Sequence, residues 1–175
     1  MKNIEKTTET EYLRVIRFNF DSQKSLAEKA FEQLSEIDFH ITLDEESNSI
    51  SILIQHMSGN MISRFTDFLT SDGEKPDRNR DAEFEEKNIS RQRLLEKWEA
   101  GWKVVFAMLE QLEPGDLLKT VYIRNEPHSV IEALNRQVAH YGYHVGQIVF
   151  LAKHLRNKNW KSLSIPKAKG KDVKK

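Results

Sequence analysis

The apolar positions of the chain recur at helical spacing in four separate stretches. From about Thr8 to Ser35 the large residues fall at Leu13, Ile16, Phe20, Ala27, Phe31 and Leu34, intervals of three, four and seven that predict one long amphipathic helix. Asp21-Ser22 interrupts it only weakly, as a point where a break is allowed. Ile37 to Ser47 reads as a connection, with the acids Asp44-Glu45-Glu46 on a solvated loop. Asn48 can cap a second helix that runs to about Leu69 behind Ile50, Ile54, Met57, Met61, Phe65 and Phe68. A third runs from a cap at Ser90 to about Leu112, with Leu94, Trp98, Trp102, Val105, Leu109 and Leu112 inward, and Pro114-Gly115 ends it.

Before the last helix, Leu118 to Arg124 alternates around Val121 and Ile123, which predicts a short strand or hairpin turning at Arg124-Asn125-Glu126. Ser129-Val130-Ile131-Glu132 has the form of a capping box, with Pro127 just upstream as a stop. The fourth helix then extends to about Leu155, with Val130, Leu134, Tyr141, Val145, Ile148, Leu151 and Leu155 on its apolar stripe. Thr70 to Lys87 is a polar crossover punctuated by Gly73 and Pro76. Four helices with one long link, between the second and third, make an all-α four-helix bundle in which those two helices can run parallel.

Two histidines change the picture. His140 and His144 stand four residues apart, one turn of the last helix, so both rings lie on one face and can hold a metal ion between them. Two hydrogen-bonded residues on a polar face are the alternative at this spacing. Both border the buried stripe, where an imidazole needs a partner for each ring nitrogen. His56 sits in the same way beside the apolar line of the second helix. Three mid-helix imidazoles at comparable depth could meet in a bundle, although a lone His beside an apolar face is more often structural. His128 precedes the cap, and His154 points about 80° away from His144 at 100° per residue, so neither joins the pair.

Several neighbours bear on such a site. Gln137 and Gln147 each stand three residues from a candidate ligand and could orient an imidazole or a substrate; as ordinary polar helix residues they need no such role. Gly59 is costly in mid-helix, which implies close approach of something to its backbone. Arg78, Arg80, Asp81 and Glu83 either line a site entrance or only solvate the crossover, and the second reading is the default. Gly142 and Gly146 lie on the side of the last helix away from the His pair, where small residues permit another helix, or a second copy, to approach.

Composition narrows the chemistry. Acidic and basic residues balance at 27 each among 175, so no global field favours nucleic acid or an anionic membrane. The sequence contains no cysteine, which removes thiolate ligands, cysteine nucleophiles and disulfides together, so a metal must be held by His and carboxylate. The start of the chain lacks the apolar run of a signal peptide and no stretch nears a membrane span, giving a cytoplasmic expectation. Residues 1–160 read as one domain, and 161–175 as a Lys-rich, disordered tail.

Residues 8–156 resemble the DinB-like metalloenzymes, a family that includes bacillithiol- and mycothiol-dependent transferases and a maleylpyruvate isomerase. The likeness is carried by His56-Met57-Ser58-Gly59-Asn60 and by His140-Tyr141-Gly142-Tyr143-His144-Val145-Gly146-Gln147. Asn135-Arg136-Gln137-Val138-Ala139-His140 and Asp72-Gly73-Glu74-Lys75-Pro76 resemble one uncharacterised branch. The resemblance implies an up-down-down-up bundle, frequent homodimers, and a divalent metal on the three His that match His56, His140 and His144. Three protein ligands leave a coordination position open, the catalytic pattern. Imidazole suits Zn and Ni among other metals, and those two are the first choice. The expected function is thiol transfer to, or hydrolysis of, a small electrophile, with a low-molecular-weight thiol as cosubstrate. The competing expectation is a non-catalytic dimeric bundle with a structural or vestigial site.

Overall fold

The computed structural model describes residues 6–165. It is mostly helical. Helix α1 spans Thr8–Phe31, α2 Ile50–Phe65, α3 Arg91–Gln111 and α4 Val130–Arg156, and a hairpin of β1 (Thr120–Ile123) and β2 (Glu126–Ser129) precedes α4. A hydroxyl caps each helix: Thr7, Ser49, Ser90 and Ser129 accept from backbone N–H groups of the first turn, satisfying donors that have no intrahelical partner. Among the described residues, no helix is long and apolar enough to cross a membrane.

Several boundaries differ from the periodicity. α1 continues unbroken through Asp21-Ser22, because that point faces outward while Phe20 and Ala27 hold the helix to the core. The cap of α2 is Ser49 rather than Asn48, and the helix stops at Phe65, since Asp67 adopts a positive φ of 49°. Phe68 nonetheless packs beneath Phe65, so the apolar spacing outlasts the helix that it appeared to mark. The connection after α1 contains a 3-10 turn, Ile37–His40, which sends Phe39 into the core against Phe31. The predicted capping box of α4 is half formed: Ser129 caps Glu132 N, whereas the Glu132 carboxylate lies 2.9 Å from His128 Nδ1. Pro127 belongs to β2, opposite Tyr122.

The core is aromatic at its centre. Phe20 of α1 meets Trp102 of α3, Tyr141 of α4 and Phe65 of α2 at centroid separations of 5.8–6.2 Å, in tilted to edge-on arrangements. α2 packs chiefly on α3, and α1 on α4. Gly101 allows the first of these contacts to be tight, because a β-carbon there would lie 3.1 Å from Ser58 Cα. Fourteen of the sixteen residues of α2 are buried, all but Gly59 and Ile62. The polar side chains of this helix are thereby cut off from water and depend on partners inside the protein, which Ser58 Oγ lacks.

The hairpin fixes the start of α4. Arg124 and Asn125 both have positive φ, 56° and 63°, the backbone required by a two-residue turn between antiparallel strands. Asp72 from the crossover captures that turn, accepting from Arg124 N at 2.9 Å and Asn125 N at 2.7 Å. Gly73 N donates to Tyr122 O at 2.7 Å. Crossover and hairpin are thus joined through the backbone. Beyond α4, Lys161 N donates to Gln33 Oε1 on α1 and Leu163 packs on the core. The tail expected to be disordered lies, from residue 166 on, outside the described residues.

Candidate metal centre

His56 is brought to α4 by the burial of its own helix, and His140 and His144 by the phase that Tyr141 sets. Tyr141 is fully buried and its hydroxyl donates to Asn60 Oδ1 on α2 at 3.0 Å. That bond registers α4 against α2, four residues along from His56. The three imidazoles then converge through their Nε2 atoms: His144 and His140 at 3.0 Å, His56 and His140 at 3.4 Å. Among the described residues these are the one group of three whose ligand atoms all lie within 4.8 Å and could hold a metal ion. Nitrogens bound tetrahedrally at Zn–N of about 2.0–2.1 Å stand about 3.3 Å apart, close to the observed separations.

Two of the three rings have their far nitrogen engaged. His56 Nδ1 donates to Glu83 Oε2 at 3.0 Å, and His144 Nδ1 donates to Gln147 Oε1 at 2.9 Å. With Nδ1 carrying the hydrogen, Nε2 keeps its lone pair free toward the other rings. Burial, reinforced by His144, His56, Arg64 and Arg78, pulls His140 down to about 3. Burial also lowers His144, against the Gln147 hydrogen bond and with His56 adding to the effect. Both rings are neutral at pH 7, the form that binds metal. The donor set thus fits a divalent ion: nitrogen ligands only, with two of the three rings oriented from behind.

Of the two readings open for Glu83, a site entrance or a solvated crossover, the default fails: its carboxylate turns inward to His56. Glu83 lies on a 3-10 turn, Asp81–Phe84, and its carboxylate receives Arg78 through Nε at 2.8 Å and Nη2 at 2.7 Å as well as His56. Burial would raise its pKa, but the Arg78 and His56 hydrogen bonds outweigh that and hold the carboxyl below its ordinary range. Gly59 is the reason it can reach. A β-carbon at that position would lie 2.7 Å from Glu83 Cδ, so the close approach expected at Gly59 is made by this carboxylate. Phe84, from the same turn, covers the His56 ring at 4.6 Å. Arg80 and Asp81 stay largely exposed. The signal that could have found Glu83 was Gly59 itself, an uncovered spot one turn beyond His56.

Glu74, in the segment Asp72-Gly73-Glu74, ties three arginines together. It accepts from Arg64 Nη2 at 3.0 Å, Arg78 Nη1 at 3.2 Å and Arg124 Nε at 3.0 Å. Arg64 also donates to Gly73 O. The three arginines, with Arg80 and Arg136, wall a cavity of about 210 Å³ that opens onto His56 and His140. Of the glutamines, Gln147 orients a ring and Gln137 lines that cavity. His128 and His154 stay outside the cluster. Gly142 faces Gln23 of α1, and Gly146 faces open space.

A mostly helical domain in which three converging imidazoles, backed by a glutamate and a glutamine, meet a basic cavity is the class that fold and site define. Residues 7–169 match the family described as "Protein of unknown function (DUF1572)". The chain belongs to that family, which is DinB-like. No curated protein matches the chain.

Proposed function

We propose that the chain is a divalent-metal-dependent enzyme of the DinB-like up-down-down-up type, with His56, His140 and His144 as ligands, acting on a small electrophilic substrate by thiol transfer or hydrolysis. The observation that carries this reading is the convergence of three Nε2 atoms, two of them on rings whose Nδ1 hydrogens are held by Glu83 and Gln147. When bound, the ion supplies Lewis acidity, which lowers the pKa of a thiol or a water near it. Zn and Ni suit three imidazoles. Glu83 fixes the tautomer and direction of His56, and Gln147 does the same for His144. The enclosed position of His140 keeps it unprotonated. Thiol transfer leads because the chain has no cysteine of its own and the resemblance favours a low-molecular-weight thiol as cosubstrate.

The test is elemental analysis of protein purified without a His tag. About one equivalent of divalent ion, absent from His140→Ala, supports the ligand set. Chelator-sensitive consumption of a thiol with a test electrophile supports transfer, while a bound ion without thiol consumption leaves hydrolysis or a structural site. Homodimerisation through α4 belongs to the same reading. Tyr143, Gly146 and Phe150 fall on one outward stripe, Tyr143 and Phe150 being 61% and 63% exposed. A mass near that of one 20.5 kDa chain in light scattering removes it.

A further inference from the structure

We infer that the cavity beside the three imidazoles is an anion site, and that the substrate of the proposed enzyme carries a carboxylate or phosphoryl group held there by arginine. The inference rests on the function proposed above for the word substrate, and on the cavity alone for the word anion. Five arginines, Arg64, Arg78, Arg80, Arg124 and Arg136, line it together with His56, His140, Asn60 and Gln137. No carboxylate is among the lining residues. The acids that reach the arginines from behind are Glu74, shared by three of them, and Glu83, paired with Arg78. Asp81 comes no nearer than 3.9 Å to Arg80 and is 97% exposed. Arg136 has no acidic partner among the described residues. Positive charge on this wall therefore exceeds what the protein itself neutralises.

Two further observations point to a ligand rather than to a solvated basic patch. Gln137 is 3% exposed, its side chain lines the cavity, and its Oε1 has no hydrogen-bond partner. A buried acceptor left unsatisfied is costly, and a hydroxyl or other donor on the body of a bound molecule, not its anionic group, would meet it. Arg64 is held in a place that opposes its own charge: burial pushes the guanidinium down, and Arg78 and Arg124 add to this against the pull of Glu74. An anion in the cavity relieves that repulsion, and planar guanidinium groups match the paired oxygens of carboxylate and phosphate. At about 210 Å³ the space is smaller than the roughly 300–1,000 Å³ usual for drug-sized ligands, which selects a small anion. Since His56 and His140 form part of the same wall, that anion would place the rest of its molecule beside the three Nε2 atoms.

The experiment is calorimetric titration of the chelator-treated full chain at constant ionic strength with inorganic phosphate, with malonate and with uncharged malonamide. Saturable binding of at least one anion, no binding of malonamide, and a dissociation constant about tenfold or more higher in Arg136→Gln and Arg80→Gln support the inference. A preference for phosphate assigns a phosphoryl group, and a preference for malonate a carboxylate. Absence of saturation by either anion below about 10 mM, or binding unchanged in both variants, overturns it. Arg80 and Arg136 are exposed, so their loss leaves the core intact, and unchanged melting temperatures verify this. Because the titration is done without metal, its outcome is independent of whether the three His bind an ion.

Discussion

Glu83 holds His56 by its Nδ1 hydrogen from a position that only a glycine at 59 leaves open. The proposed ligand furthest from the His pair in sequence is therefore oriented by a residue 27 positions later in the crossover. Loss of this carboxylate by Glu83→Gln, or its displacement by Gly59→Ala, should weaken Zn binding by about 10–100-fold with the fold retained. Competition with a chromophoric chelator measures it. Equal affinity in both variants would separate Glu83 from the site.

Metal should also stabilise the fold, because three ligands on two helices are together only in the native state. At free metal of about 100 times the dissociation constant the gain is about 2.7 kcal/mol. Thermal unfolding with and without chelator should differ for the wild type and coincide for His144→Ala. Coincident curves for the wild type would deny any link between metal and folding.

The pH dependence of the metal-free protein follows from His140. Its folded value, about 3, lies below the ordinary 6.5, so between these limits the unfolded chain binds the extra proton. Stability is then fully present above about pH 6.5 and declines as pH falls toward 3. The lowered value of His144 adds in the same direction. Denaturant titration across this range should show the decline, and a smaller one in His140→Gln.

Glu74 stands between Arg64, Arg78 and Arg124. Its removal by Glu74→Ala leaves a nearly buried guanidinium without its acid and three like charges facing one another. A cost of about 2–4 kcal/mol is expected, read as a shift in the denaturant midpoint. A loss under about 0.5 kcal/mol would mean that the arginines find solvent or another acid at once.

How far the sequence reaches can be judged from single residues. The apolar lines of all four helices are buried nearly as their spacing requires, since amphipathic period is a local property; Leu13 near the start of α1 and Leu155 at the end of α4, both only half-buried, are the exceptions. The turn at Arg124-Asn125 was visible for the same reason. His140 and His144 share a face by backbone geometry alone; comparable depth in two helices only allowed their meeting with His56, and the family resemblance supplied the set of three. The other half of the site was not legible in that way. Glu83, Arg78 and Glu74 lie in a segment with no periodicity, and which side chain in a charged loop turns inward depends on contacts up to 50 residues away, such as Arg124 with Glu74. Gly59 announced a close neighbour without naming it. Asp67, whose positive φ ends α2 early, carries no glycine or proline to mark it.

The enclosure of α2 has a consequence for how this scaffold can acquire new chemistry. His56 sits on a rod wrapped by the rest of the protein, where a change of almost any side chain disturbs packing before it alters reactivity. Innovation is thereby channelled to the strap of residues 72–84 and to the cavity wall at 124 and 136, which can be rewritten while the rod stays as it is. A designer wishing to change what this protein accepts should begin with the strap.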